Sequence, residues 1–557
     1  MPKRGRTQLV FAALLALLAL VAAGHVVAAD RKTVCSITVN SPDERDIFKK
    51  YLPKGDYDFV ELVERGRPDW LASACRAGVK CDLLLISGHF DGGTEFYTDR
   101  LDAREFLPVD EMEKVGCSDS CPGLFAQLKE VYLFGCNTLN GEAMRSASAE
   151  IGRSLVRAGH SPADAESLSR MLAERHGESN RDRMRHIFKD VPVIYGFSSK
   201  APLGKSAGPM LERYFQAGAA AEIGSGRPSA KLLNLFAPVS MVSVAGVTDA
   251  DSRAGFRRDT CQFADDRLSP SQKVGHLHTL LKRDMAEVRL FLDHIEKYSA
   301  TLDATTRLAP AVAAALDGIG QDMSARNRYL EFARDADDPA VRARMVELAR
   351  SFGWLSPADQ RAEVMRMFGE QIARSSVTAA EVNLACALNQ DRVLGGELAR
   401  LQPTSAQASN VANAALLACL GSADGHARTL LALTSHDDAS VQMAQVYLRH
   451  RPLADADEVR LVAANITRMS ASDAQVRALN TLAGQSLNDR ESLQALARLF
   501  PVAKSVDVQR AIAGVLIRSD YQVLPRPELA QALRKSRLKS PDGDDMIEAL
   551  IRRLQAP

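Results

Sequence analysis

Apolar and polar positions along the chain fall into two regimes. From 32 to about 247, short apolar runs bounded by glycine, proline and charged residues alternate with segments of helical period. Such runs read as buried strands, and their alternation with helices as βαβ units of a mostly parallel sheet. Strands are predicted over 34–39, 57–63, 82–87, 130–134 and 191–197, with a small hairpin excursion over 94–97 and 105–109. Helices are predicted over 68–77, 141–158 and 206–220.

After about 265 the strand pattern stops and Ala- and Leu-rich helical periodicity takes over. An acidic or small residue followed by valine and a helical run recurs, with valines at 341, 382, 411, 441, 476 and 508, spaced by 41, 29, 30, 35 and 32 residues. A period of this size predicts an α-solenoid. Its degenerate motif resembles HEAT repeats more than tetratricopeptide repeats, and an irregular helical bundle is the alternative.

The start of the chain changes the setting. Lys3, Arg4 and Arg6 precede an apolar stretch over 9–23, and Val27-Ala28-Ala29 offers small residues for cleavage before Asp30. This is the pattern of a signal peptide over 1–29, with an uncleaved anchor as the alternative. Either way the body is expected to be exported, periplasmic or secreted, and membrane-attached only if the segment is retained. The expected layout is then an α/β domain over 30–250, a helical connector over 251–330 and a solenoid over 331–557.

The 557 residues carry 70 basic and 69 acidic side chains, a net charge of +1 that gives no reason to expect a nucleic-acid partner. Hydrophobic content of 46% and charged content of 25% argue against wholesale disorder. One local cluster stands out over 161–190, where Arg170, Arg175, Arg181, Arg183 and Arg185 are matched by Asp164, Glu166, Glu174, Glu178 and Asp182. It reads as a solvated helical face, with a lid, an activation segment or a cleavable linker as the sharper alternatives.

Two of the predicted strands end in chemistry. Leu83-Leu84-Leu85-Ile86-Ser87-Gly88-His89 breaks at a glycine to present an imidazole, and Val131-Tyr132-Leu133-Phe134-Gly135-Cys136 breaks at a glycine to present a thiol. In open α/β sheets, catalytic groups collect just beyond the carboxyl ends of the strands. If these two strands are neighbours, His89 and Cys136 meet at one edge. A thiolate is the useful nucleophile, and an imidazole can take its proton and later protonate a leaving amine. Backbone N–H groups at such turns can hold the oxyanion of a tetrahedral intermediate. Taken singly, a histidine after an apolar strand is more often structural than a base, and a cysteine behind such a run more often an inert core residue.

Export also changes the meaning of nine cysteines, since an oxidising compartment favours pairing and an odd count leaves one over. Cys136 is the natural odd one. Cys75 with Cys81 and Cys117 with Cys121 are close in sequence and are expected to form local bridges that staple loops around the site; zinc is the rival for these four, with poorly matching spacing. Cys35, Cys261, Cys386 and Cys419 are either bridged or simply buried.

The order His then Cys, the spacing, and the two apolar lead-ins resemble the caspase-like cysteine peptidases of clan CD, which include caspases, gingipains, clostripain, separase and bacterial CHAT domains. Phe134-Gly135-Cys136-Asn137-Thr138 looks like the CHAT-type nucleophile segment, and 191–199 resembles the strand that follows it. The resemblance covers about 32–247. It implies a Cys136/His89 dyad, with the backbone N–H groups of Phe90 and Cys136 as oxyanion donors and no cofactor or metal. It also implies that the loop over 198–206, with Ser198, Ser199 and Lys200, lines part of the specificity pocket. The sequence departs at Phe90, where that family normally places glycine after the histidine. Asp91 is either a turn former or an orienting acid for the imidazole. Lys200 and Lys205 would favour an acidic substrate side chain if they face the pocket.

The function expected is an exported cysteine endopeptidase, with a protein or peptide substrate and a helical array that docks a substrate or a regulator. The rival is a non-catalytic binding scaffold built on a degenerate caspase-like domain. A thiol oxidoreductase is disfavoured by the lack of a Cys-x-x-Cys motif.

Overall fold

The computed structural model describes residues 31–62, 70–90, 93–99, 105–118, 121, 123–142, 148–157, 159–176, 179–374, 377–453, 456–470, 473–485, 487–539 and 545–555. The signal-peptide segment and Asp91 lie outside them. The chain divides into two compact units, 1–318 and 319–557, so most of the expected connector belongs to the first unit.

The first unit is built on a six-stranded sheet in the order β2-β1-β3-β6-β7-β8. Its strands are β1 (Lys32–Thr38), β2 (Tyr57–Glu61), β3 (Leu83–Ser87), β6 (Glu130–Phe134), β7 (Val193–Phe197) and β8 (Met241–Val244). Every neighbouring pair is parallel except β7 with β8, which is antiparallel. The excursion between β3 and β6 is an antiparallel hairpin, β4 (Glu95–Tyr97) with β5 (Phe106–Pro108).

Strand periodicity explains the three layers. Successive side chains point to opposite faces, so a continuous apolar run serves two cores at once. Leu84, Ile86, Val131, Leu133 and Ile194 join one core, closed by Leu71 of α2 (Trp70–Arg76), Met112 of α3 (Val109–Cys117) and Met184 of α6 (Asn180–Ile187). Leu83, Leu85, Tyr132, Phe134, Tyr195 and Phe197 join the other. Phe48 of α1 (Asp43–Tyr51), Leu211 and Phe215 of α7 (Gly204–Gln216) and Phe236 of α8 (Ala230–Phe236) close that one. Burying each large apolar side chain is worth about 1.5–3 kcal/mol, so β3 and β6, buried at every position, are held firmly and carry their ends with them.

The helix expected over 141–158 is present as α4 (Ser148–Arg157); Gly141 and Glu142 are not helical, and 143–147 and 158 lie outside the described residues. Another stretch departs from the sequence reading. The Arg-rich stretch forms α5 (Pro162–His176) and α6, and α6 is tied into the unit. Arg183 donates to the Gly93 carbonyl and pairs with Asp110, while Arg185 donates to the Ala245 carbonyl and pairs with Asp251. These arginines are neither a solvated face nor a detached linker.

The cysteine pairing also departs from the expected local bridges. Cys35 pairs with Cys81, Cys75 with Cys121, Cys117 with Cys261, and Cys386 with Cys419. The sheet brings β1 beside β3, and hence Cys35 to Cys81 with their Cα atoms 5.6 Å apart, a proximity that sequence separation hides.

The second unit is helical. The helices carrying the recurrent valine, Pro339–Ser351, Ala379–Leu388, Val411–Cys419, Asp438–His450, Asp473–Leu482 and Val506–Arg518, pack side by side in chain order, and Asp545–Gln555 extends the row. A residue one to four positions before the valine is in several cases the helix N-cap: Asp338, Asn410, Asp437 and Ser505 each accept a backbone N–H from the first turn. Each such cap is worth about 1 kcal/mol. The valine then enters the core, with Val341, Val382, Val441 and Val508 all buried. Among the described residues no helix is long and apolar enough to cross a membrane.

Candidate active site

The two strand ends are adjacent. Ser87 lies opposite Phe134 in the parallel β3–β6 register, and the Gly88 N–H extends the ladder by donating to the Phe134 carbonyl at 3.1 Å. One residue further on, His89 and Cys136 both line one cleft. Asn40, Ser41 and Glu44 after β1, and 201–204 after β7, close the rest of it. The cleft thus opens at the carboxyl edge of four parallel strands.

Gly135 is required by close approach, since a Cβ there would sit 2.8 Å from Phe90 Cβ and 2.9 Å from the Gly88 carbonyl oxygen. A Cβ at Gly88 would sit 3.1 Å from Val39 Cβ, so that neighbour would have to give by a few tenths of an ångström. Phe90 stands where the resemblance leads one to expect glycine, yet its side chain is buried beside Phe96, away from solvent. Among the described residues neither the Phe90 nor the Cys136 N–H donates a hydrogen bond, whereas the His89 N–H is taken by the Tyr97 carbonyl at 2.8 Å.

Cys136 is the free cysteine of the chain and is partly exposed. The Ala201 N–H donates to its Sγ at 3.3 Å, an interaction that strengthens when sulfur carries negative charge. The turn behind it is held by Thr138, whose hydroxyl donates to the Gly135 carbonyl and accepts the Phe197 N–H. Gly196 leaves room for that hydroxyl, since a Cβ there would come within 2.6 Å of Thr138 Oγ1. The turn that carries Cys136 is therefore fastened to β7.

His89 is fixed by the hairpin. Its backbone pairs with Tyr97 in both directions and its ring lies 5.5 Å from the Tyr97 ring. Nε2 is 3.3 Å from Asp99 Oδ2 but is not aligned to hydrogen-bond with it. Among the described residues Asp99 is the carboxylate beside the imidazole; Asp91, named from sequence, lies outside them.

The chain matches no family model, no curated protein and no solved structure.

The loop after β7 contributes differently from its expected pattern. Ala201, Pro202, Leu203 and Gly204 line the cleft, while Ser198 is tied to the Ser240 carbonyl and Ser199 gives its carbonyl to the Asn137 N–H. Lys200 and Lys205 are exposed and are not among the cleft-lining residues. Glu44, which the sequence reading passed over, lies in the cleft wall with Ser87 Oγ donating to its Oε2 at 3.0 Å. Burial pushes its carboxyl up to about 7. Among the described residues no cluster of three or more His, Cys, Asp or Glu side chains is placed to hold a metal ion.

Proposed function

We propose that the chain is an exported cysteine endopeptidase of caspase-like architecture, with Cys136 as nucleophile and His89 as base. One observation carries the reading: eight of the nine cysteines are paired, and the ninth stands free in a cleft shared with a histidine. A free thiol in an oxidising compartment is a liability without a use.

In this mechanism the imidazole takes the thiol proton as Sγ bonds to the scissile carbonyl carbon. The carbonyl oxygen becomes an oxyanion, for which the N–H groups of Phe90 and Cys136, unengaged among the described residues, are the donors. Collapse breaks the C–N bond, and the imidazolium gives its proton to the departing amine, leaving a thioester. Water then attacks the thioester carbonyl with His89 taking its proton. The thiolate leaves and regains that proton, releasing the acid. The Ala201 N–H holds the sulfur in place at both ends of the cycle.

The row of helices in the second unit resembles HEAT repeats, and we assign it the docking of a protein substrate or regulator. Four disulfides support an oxidising location, periplasmic or secreted. The decisive experiment is cleavage of a peptide library by purified wild type, Cys136→Ala and His89→Ala. Cleavage by wild type and loss in both variants supports the dyad; cleavage that survives Cys136→Ala, or no cleavage by wild type, overturns it.

A further inference from the structure

Glu44 is an anomaly beside the thiol. It lies in the first turn of α1, is 2% exposed, and lines the same cleft as His89 and Cys136. A carboxylate taken out of water needs a cation or a full set of donors. Here the one side-chain donor is Ser87 Oγ, and among the described residues no Lys, Arg or His pairs with Glu44. Arg45, next in the chain, turns instead to Asp46 and Glu61. Asp43 adds a second negative charge nearby, hydrogen-bonded by Ser41.

We infer that Glu44 is the specificity determinant of the cleft and receives a lysine or arginine side chain from the residue preceding the scissile bond. This rests on the peptidase reading. Glu44 and Cys136 line one cleft, so the side chain next to a carbonyl held at Cys136 Sγ shares its space with Glu44. Ala201, Pro202 and Leu203 supply apolar wall for an aliphatic stem, with Leu203 64% exposed at the rim. The cation supplies the missing counter-charge and favours the ionised carboxyl, which burial otherwise disfavours. An acidic side chain meets Glu44 and Asp43 with like charge, and an apolar one leaves the buried carboxyl with only the Ser87 hydroxyl and a backbone N–H.

The test uses the full chain and a series of peptidyl acyloxymethyl ketones differing only in the residue next to the reactive ketone: Lys, Arg, Gln, Leu or Asp. The readout is the rate of adduct formation on Cys136, followed by mass spectrometry. Lys and Arg reagents reacting about tenfold or more faster than Gln and Asp reagents support the inference. So does a Lys-over-Gln ratio that falls about tenfold in Glu44→Gln, with Glu44→Asp retaining the preference for a cation. Labelling led by Asp, Leu or Gln overturns the inference and leaves the peptidase reading standing, as does an unchanged ratio in Glu44→Gln. If iodoacetamide modifies Cys136 but no peptidyl reagent does, both fall together.

Discussion

The Ala201 N–H points at the Cys136 sulfur across 3.3 Å, joining the end of β6 to the loop that follows β7. Replacing Ala201 with proline removes that single hydrogen. With the sulfur no longer held, kcat/KM is expected to fall about tenfold, with the thermal midpoint as the check on folding.

Gly135 tests whether the glycine breaks are structural necessities. A methyl at that position meets Phe90 Cβ and the Gly88 carbonyl inside contact distance. Gly135→Ala is expected to lose about 1–3 kcal/mol of stability by denaturant titration and to displace His89 and Cys136 from each other, removing most cleavage.

Glu44 gives a pH signature. Its folded-state carboxyl titrates at about 7, above the ordinary 4.5, because of burial. Between those values the folded chain keeps a proton that the unfolded chain releases, so stability falls as pH rises through the window. Glu44→Gln is expected to be more stable than wild type at pH 8, by up to about 3 kcal/mol, with the difference vanishing near pH 4. Paired melting curves across pH would show no crossing trend if Glu44 is solvated.

The disulfide between Cys117 and Cys261 fastens α3 to the helix Ala254–Ala264. Replacing both cysteines with serine is expected to cost about 2–5 kcal/mol and to loosen the helices after β8 from the sheet unit. Peptide mapping without reduction should recover Cys35 with Cys81 and Cys75 with Cys121; recovery of Cys75 with Cys81 would refute the arrangement.

Where long-range order follows from strand burial, it was readable in the residues. The runs ending at Ser87 and Phe134 are buried on both faces, so their apolar continuity announced a parallel sheet and placed His89 beside Cys136. The valine motif announced helix starts, because capping and burial of the next turn are local events. Contacts set by the twist and order of strands were not readable. Cys35 meets Cys81 only because β1 lies next to β3. Glu44 was missed because α1 is short and charged, with Phe48 as its one buried large apolar side chain, so its period is faint. Asp99 reaches His89 only through the β4–β5 hairpin geometry, which no spacing rule encodes.

The three bridges of the first unit run from β1 through α2 and α3 to the helix Ala254–Ala264, and together they give thiol reagents two opposed effects on one molecule. A reductant strong enough to rescue an oxidised Cys136 also attacks the partly exposed sulfurs of Cys75, Cys117 and Cys261, whereas Cys35 and Cys81 are sealed in the interior. On the proposed reading, the usual remedy for a sluggish thiol enzyme would begin to dismantle the scaffold around this one. Its working range would then be bounded on the oxidising side by loss of the nucleophile and on the reducing side by loss of the frame.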